Sequence, residues 1–256
     1  MESNSLKNCL ITGGAKRIGK AIVENLVSNG WNVAIHCHNS IEDAKILAKN
    51  LSSKQIKVVS LDARLDVYTE MLTLVKRATE ALGPITCLIN NASVFDMDQV
   101  GQITETSWAK HMAVNLSAPL FLSQEFFKCL NEQQSGNIVN IIDQRVWSPT
   151  PWFISYATSK AGLWSLTQSL ALALAPRIRV NAIGPGPTLQ SKRQTKEDFQ
   201  AQSRATPLQK GATPNEIASA VRFILSSKSM TGQMIALDGG QHLGWEYSGN
   251  KDCPQE

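Results

Sequence analysis

No run of apolar residues in this 256-residue chain approaches the ~20 that a membrane-spanning helix needs, so no membrane partner is expected. Charge of one sign is also scarce. Lysine and arginine number 25 against 21 aspartate and glutamate, a net charge of +4, and no clustered basic face of the kind nucleic acid requires stands out. The five cysteines, at positions 9, 37, 87, 129 and 253, are odd in number and show neither a disulfide pattern nor metal-ligand spacing. No metal is expected. Cys9 and Cys87 lie in apolar runs, where a free thiol acts as a small hydrophobe. The first residues, MESNSLKN, hold no signal-peptide core. With the unpaired thiols they lead to the expectation of a reducing cytoplasm. Internal repeats, low-complexity tracts and breaks in composition are missing too. What remains, 43% hydrophobic and 18% charged, is ordinary for a globular protein, and one domain over residues 1–256 accounts for it.

What is present is alternation. Short aliphatic runs at 8–11, 33–35, 56–61, 85–89, 137–142, 178–183 and 233–237 read as strands. Between them, helical periodicity covers a stretch after Ile18, then 41–51, 67–82, 105–131, 155–175 and 214–226. Strands separated by helices of this length predict βαβ units and an α/β fold with a parallel sheet. Each strand ends in polar or glycine residues, where an open parallel sheet forms its ligand crevice. Residues 187–212 break the rhythm: they are polar, poor in aliphatics and long for a connection, which suggests a lid over a substrate. Trp245 and Tyr247 make the 241–256 tail too aromatic for pure linker, and part of it is expected to dock.

Two stretches carry chemistry. The first run stops at Thr12-Gly13-Gly14-Ala15-Lys16-Arg17-Ile18-Gly19 and a helix follows, the arrangement that offers backbone N–H groups to a phosphate. The second strand ends in His36-Cys37-His38-Asn39-Ser40 with no acid to hold a ribose hydroxyl. Lys16, Arg17, both histidines, Asn39 and Ser40 instead offer donors to a 2′-phosphate, and Ser40 with Asp43 also resembles a capping box. In the second stretch Tyr156 and Lys160 stand four residues apart on a predicted helix, hence on one face. An ammonium beside a phenol favours the phenolate and brings tyrosine into working range as an acid or base. Asp143, thirteen positions before Tyr156, ends the 137–142 strand.

Together with Asn90-Asn91-Ala92, Asn115, Pro185-Gly186 and Asp238-Gly239-Gly240, these motifs resemble a short-chain dehydrogenase/reductase over nearly the whole length. The resemblance implies a single-domain Rossmann-type, doubly wound parallel sheet of about seven strands with helices on both faces, a nicotinamide cofactor and a homotetramer. It implies Tyr156 as proton donor, Lys160 as the residue that lowers its pKa and holds the nicotinamide ribose, and Asn115 as support of a water-linked proton path. Cofactor contacts are implied at Gly13, Lys16, Arg17, Ile18, Gly19, His36, His38, Asn39, Ser40, Asp62, Ala63, Asn91, Ala92, Ser93, Tyr156, Lys160, Pro185 and Gly186. Two departures narrow it further: Arg17 stands where the family has a glycine, and Asp143 where it has a serine. Both are similar to pteridine and dihydromonapterin reductases. That subgroup implies NADPH and a pterin substrate, with Phe95 stacking on the ring and Arg17, Ser93, Asp143 and Tyr156 around it.

The competing expectations are a reductase of another carbonyl, such as a 3-oxoacyl thioester or a quinone, and a cofactor-binding sensor without turnover. Leu163, Trp164, Leu166, Leu170, Leu172 and Leu174 put apolar residues on more than one face of the 155–175 helix. A helix of that kind must bury its outer side, which is the residue-level reason to expect an oligomer.

Overall fold

The computed structural model describes residues 7–191 and 193–244. Its first half runs β1 (Asn8–Ile11), α1 (Arg17–Ser28), β2 (Asn32–Cys37), α2 (Ile41–Leu51), β3 (Val58–Asp62), α3 (Tyr68–Leu82) and β4 (Cys87–Asn90). Its second half runs α4 (Glu105–Met112), α5 (Ala118–Cys129), β5 (Gly136–Ile141), α6 (Ile154–Leu174), β6 (Ile178–Pro185), α7 (Lys196–Arg204), α8 (Pro214–Ser226) and β7 (Met234–Leu237). The strands form one seven-stranded parallel sheet in the order β3-β2-β1-β4-β5-β6-β7. This is the parallel-sheet α/β fold that the alternation predicts, in the Rossmann-type arrangement that the resemblance implies. The order reverses between β1 and β4, so their C-terminal ends open a crevice between diverging connections.

Alternate residues of the strands feed two cores, because a strand points successive side chains to opposite faces. Cys9, Ile11, Val33, Ile35 and Ile89 pack against α1, α2 and α8, while Leu10, Ala34, Leu88, Ile138 and Val180 pack against α3, α5 and α6. Such fully buried strands read as continuous apolar runs rather than alternating ones. Among the described residues no helix is long and apolar enough to cross a membrane, and no group of His, Cys, Asp and Glu is set to hold a metal. Trp245 and Tyr247, expected to dock, lie outside the described residues.

Three expectations change. The 105–131 helix is interrupted by a π-helical turn at Ala113–Ser117. The 187–212 segment contains α7, begun by a reciprocal Thr195–Asp198 capping box. The apolar faces of α6 are mostly covered from within: Leu163, Trp164 and Leu166 pack beneath Ile142, and Leu170 and Leu174 join the α3–α5 core. Leu172 alone of these is widely exposed, at 84%. Hence α6 does not by itself demand a partner.

Candidate active site

The crevice begins at the ends of β1 and β4. Thr12, buried, accepts the Asn91 and Ala92 N–H groups on Oγ1 at 2.9 and 3.0 Å. Asn91 returns its Nδ2 to the carbonyls of Thr12 and Gly13 at 2.9 and 3.0 Å. These bonds press the glycine turn onto β4. Gly13 has φ +62°, and a Cβ on Gly19 would strike the Gly13 carbonyl oxygen, so both positions require glycine. Beyond the turn, α1 starts with no side-chain cap and no acid in its first turn. Its first N–H groups and the positive end of its dipole are thereby left for an anion.

Arg17 occupies the left-handed region, φ 54°, which explains why a glycine is usual there. A non-glycine residue in that region costs roughly 1–2 kcal/mol. Its guanidinium turns to the 187–212 segment and donates to the Leu189 and Gln190 carbonyls at 3.1 and 2.9 Å. Arg17 therefore ties the turn to that segment rather than reaching into the crevice. Lys16 forms a half-exposed ion pair with Asp43 at 2.9 Å, a contact worth ~1 kcal/mol or less. With Asp43 so engaged, the expected Ser40–Asp43 capping box does not form, and Ser40 makes no cap bond. His38 and Asn39 are exposed beside it.

His36 is different. It is buried, accepts the Gly13 N–H on Nδ1 at 3.2 Å and has Nε2 3.1 Å from the Ala63 carbonyl. Burial brings its pKa down to about 4, so the ring is neutral and donates from Nε2. It braces the turn and has no free nitrogen for a phosphate, a correction to its expected role. Asp62 pairs with Arg77 at 3.2 Å, and Ile18 packs half-buried against the α1-side core.

At the other side, α6 projects Tyr156 and Lys160 from one face into the sheet end. The Tyr156 hydroxyl donates to Asp143 Oδ2 at 2.7 Å, and Asp143 Oδ1 accepts the Arg145 N–H at 2.9 Å. Burial pushes the phenol well above its ordinary value, and the Asp143 carboxylate adds to the rise. The expected lowering by Lys160 is absent. The ammonium, itself brought down to about 8 by burial, donates instead to the Ile141 carbonyl at 2.8 Å. Tyr156 is thus held protonated, as a proton donor must be.

Asn115 sits in the π turn, fully buried. Its Oδ1 accepts the Val94 N–H at 2.8 Å, and its Nδ2 donates to the Val94 carbonyl at 2.9 Å and to Ser159 Oγ at 3.0 Å. It fastens the loop after β4 to α6. The same loop supplies Asp98, buried, which accepts the Phe153 N–H on its carbonyl and the Ser155 N–H on Oδ1. A carboxylate at the start of α6 is favoured by the helix dipole.

Phe95, from that loop, stacks on Phe153 with centroids 4.6 Å apart and meets Tyr156 edge-on at 4.5 Å. Phe153 reaches it by taking φ 60° at the N-cap of α6. Ser93 is exposed nearby and donates to the Val94 carbonyl. A cleft of about 110 Å³ opens beside these groups, lined by Phe95, Asp143, Gln144, Arg145, Phe199 and Gln241 among others. Gly186, after Pro185 at the end of β6, borders it, with its N–H on the Leu237 carbonyl at 3.0 Å. Beyond β7 the Asp238 carboxylate accepts from Gly240 N, His242 N and His242 Nδ1.

Sequence reasoning assigns no role to Thr12, Arg145, Phe153 or Arg193, all of which the fold brings to this crevice. Thr12 stands inside the quoted turn motif and is recoverable there; the other three carry no motif. The bare start of α1, the close-packed glycines and the acid-free end of β2 fit a phosphorylated dinucleotide. Next to it Tyr156 and Lys160 lie buried, and Asp143, which accepts the Tyr156 hydroxyl, lines a cleft together with the Phe95 and Phe199 rings.

The comparisons with known proteins agree. The family model for short chain dehydrogenases matches residues 7–201. The probable 2,4-dienoyl-CoA reductase of Bacillus subtilis (strain 168) is 30% identical, with 93% of this chain and 97% of that protein covered. The 3-oxoacyl-(acyl-carrier-protein) reductase FabG of Staphylococcus aureus (strain Mu50 / ATCC 700699) is 28% identical, covering 93% and 98%. Among solved structures, FolM alternative dihydrofolate reductase 1 from Brucella suis in complex with NADP superposes with TM-score 0.92 at 48% identity. It covers 97% of this chain and 99% of that one. The Brucella canis counterpart complexed with NADP gives TM-score 0.90 at 46% identity, covering 97% and 98%.

Proposed function

The chain belongs to the short chain dehydrogenase family, and from that premise we propose that it is an NADPH-dependent reductase of a pterin, of the dihydropterin or dihydrofolate type. The observation that carries this reading is the Tyr156 O–H to Asp143 bond of 2.7 Å with the Phe95 ring 4.5 Å from Tyr156. A carboxylate can accept from ring N–H and amino groups, which a pterin has and a simple ketone lacks. A flat ring next to Phe95 gains roughly 1 kcal/mol beyond its buried area. The resemblance at 46–48% identity to proteins described as alternative dihydrofolate reductases supports it.

When bound, the nicotinamide supplies the hydride. Tyr156 would deliver its proton to the neighbouring ring nitrogen by turning its O–H from Asp143, whose carboxylate fixes the phenol oxygen in place until then. Lys160, a buried cation beneath, would hold the ribose hydroxyls. His38, Asn39, Ser40 and Lys16 would hold the 2′-phosphate, Lys16 by exchanging Asp43 for it, and charge-assisted contacts of this kind contribute ~1.5–3 kcal/mol each. NADPH oxidation measured with dihydrofolate, a dihydropterin, acetoacetyl-CoA and a quinone tests the reading. Turnover of the pterins with NADPH far above NADH is expected. Reduction of acetoacetyl-CoA alone would assign the chain to the carbonyl reductases that FabG represents.

We also propose a homotetramer. Beside edge strand β7 an apolar cleft is lined by Ala220, Phe223, Ile235 and Leu237, and Phe223 is 54% exposed. Leu120 and Phe127 are likewise exposed on α5. Light scattering of the purified chain checks it, and a monomer at micromolar concentration would refute it.

A further inference from the structure

Two guanidinium groups lie against the same pair of rings at the mouth of the cleft. The Arg145 Cζ lies 4.9 Å from the Phe153 centroid and 5.4 Å from that of Phe95. The Arg193 Cζ, on the 187–212 segment, lies 5.0 Å from Phe95 and 5.5 Å from Phe153. Ring faces attract cations, so the two rings hold both guanidinium groups at this end of the cleft. Among the described residues neither arginine has an ion-pair partner. The nearby acids are committed elsewhere: Asp96 to Lys110 at 2.9 Å, and Asp143 to Tyr156 and the Arg145 N–H. Arg193 gives one bond to the Phe95 carbonyl at 2.8 Å. Arg145, which lines the cleft, has a buried Nη1 with no hydrogen-bond partner. A buried donor without an acceptor is costly and marks a place for one.

We propose that Arg145 and Arg193 bind a carboxylate, and that the substrate is therefore a pterin whose side chain ends in carboxylate groups. This rests on the pterin reading given above. Guanidinium forks match a carboxylate in two parallel bonds, which a neutral polyol side chain cannot reproduce. The ring to be reduced would lie by Tyr156 and Asp143, and its side chain would run out past the Phe95–Phe153 stack, where the pair waits. An anion there gives Nη1 the acceptor it lacks.

The test compares kcat and KM for dihydrofolate, for a dihydropterin with a neutral polyol side chain, and for acetoacetyl-CoA, whose phosphates are the other source of negative charge. Dihydrofolate should have the higher kcat/KM, through KM, and its KM alone should rise with potassium chloride. Arg145→Gln and Arg193→Gln should each cut the ratio of kcat/KM for the two pterins by about tenfold or more. Arg145 also packs on two rings, so Arg193→Gln, at an exposed position, carries the test if the first variant does not fold. Equal kcat/KM for both pterins, or an unchanged ratio in the variants, overturns the arginine pair and leaves the pterin reading standing. Turnover of acetoacetyl-CoA with neither pterin reduced overturns both.

Discussion

Replacing Asp143 by asparagine changes one atom and breaks one of two contacts. The carboxylate accepts the Tyr156 hydroxyl at 2.7 Å on one oxygen and the Arg145 N–H at 2.9 Å on the other. An amide has a single acceptor oxygen and an NH2 that only donates. If the oxygen stays with the Arg145 N–H, the tyrosine hydroxyl faces a donor and turns its proton away. A hydrogen bond to a charged group is worth ~1.5–3 kcal/mol, and at about 1.4 kcal/mol per tenfold kcat should fall roughly 10- to 150-fold. The alkaline limb should move as well. The carboxylate is the second cause, after burial, that holds the phenol above its ordinary value. Without it the pKa falls, and because Tyr156 acts only when protonated, activity disappears at a lower pH than in the wild type. Single-turnover NADPH oxidation with a dihydropterin, from acid to alkaline pH, reads both effects without interference from product release. An Asp143→Asn variant with wild-type kcat and an unmoved alkaline limb would show that Asp143 neither aims the hydroxyl nor tunes it.

Acid should loosen the fold through His36. The unfolded ring takes a proton below about 6.5 and the folded one only near 4, so the stability is complete above the first value and drains as pH falls to the second, by roughly 3 kcal/mol at most; urea midpoints should lose this slope in His36→Gln, and equal slopes in both proteins would refute it. Phe95→Ala should raise KM for the pterin about five- to tenfold, from ~1–1.5 kcal/mol of ring contact, with the NADPH dissociation constant unmoved. Lower thermal stability with unaltered KM would instead make Phe95 a core residue.

The sheet is legible in the sequence because buried parallel strands are continuous aliphatic runs. The stretch Ile138–Ile142, interrupted only by Asn140, shows this most plainly. Tyr156, Lys160 and Asp143 are legible because helical periodicity and a strand end place them without tertiary knowledge. The role of His36 is not, since spacing gives a side chain's strand and face but not its partner; only the fold brings Gly13 and Ala63 to its two nitrogens. The direction of the phenol's shift escapes for a similar reason. Spacing puts an ammonium near Tyr156, whereas depth of burial and the Ile141 carbonyl decide what it does. The π turn leaves no trace in the sequence, and the bond pair that Asn115 makes from it with Val94 is tertiary. Arg145, Phe153 and Arg193 converge from three separate segments, and no local pattern records that meeting.

The ties of the loop after β4 have a mechanical consequence. Asn115 clasps both backbone groups of Val94, and Asp98 clasps the start of α6; these bonds are buried or nearly so. Phe95 and Tyr156 therefore move as one piece, like the fixed jaw of a vise. Leu189, Gln190 and Arg193 are held across the crevice by the exposed bonds of Arg17 and Arg193. Those are exchanged for water at little cost. The setting of Phe95 against Tyr156 therefore does not depend on them, and their loss leaves it without need of rebuilding.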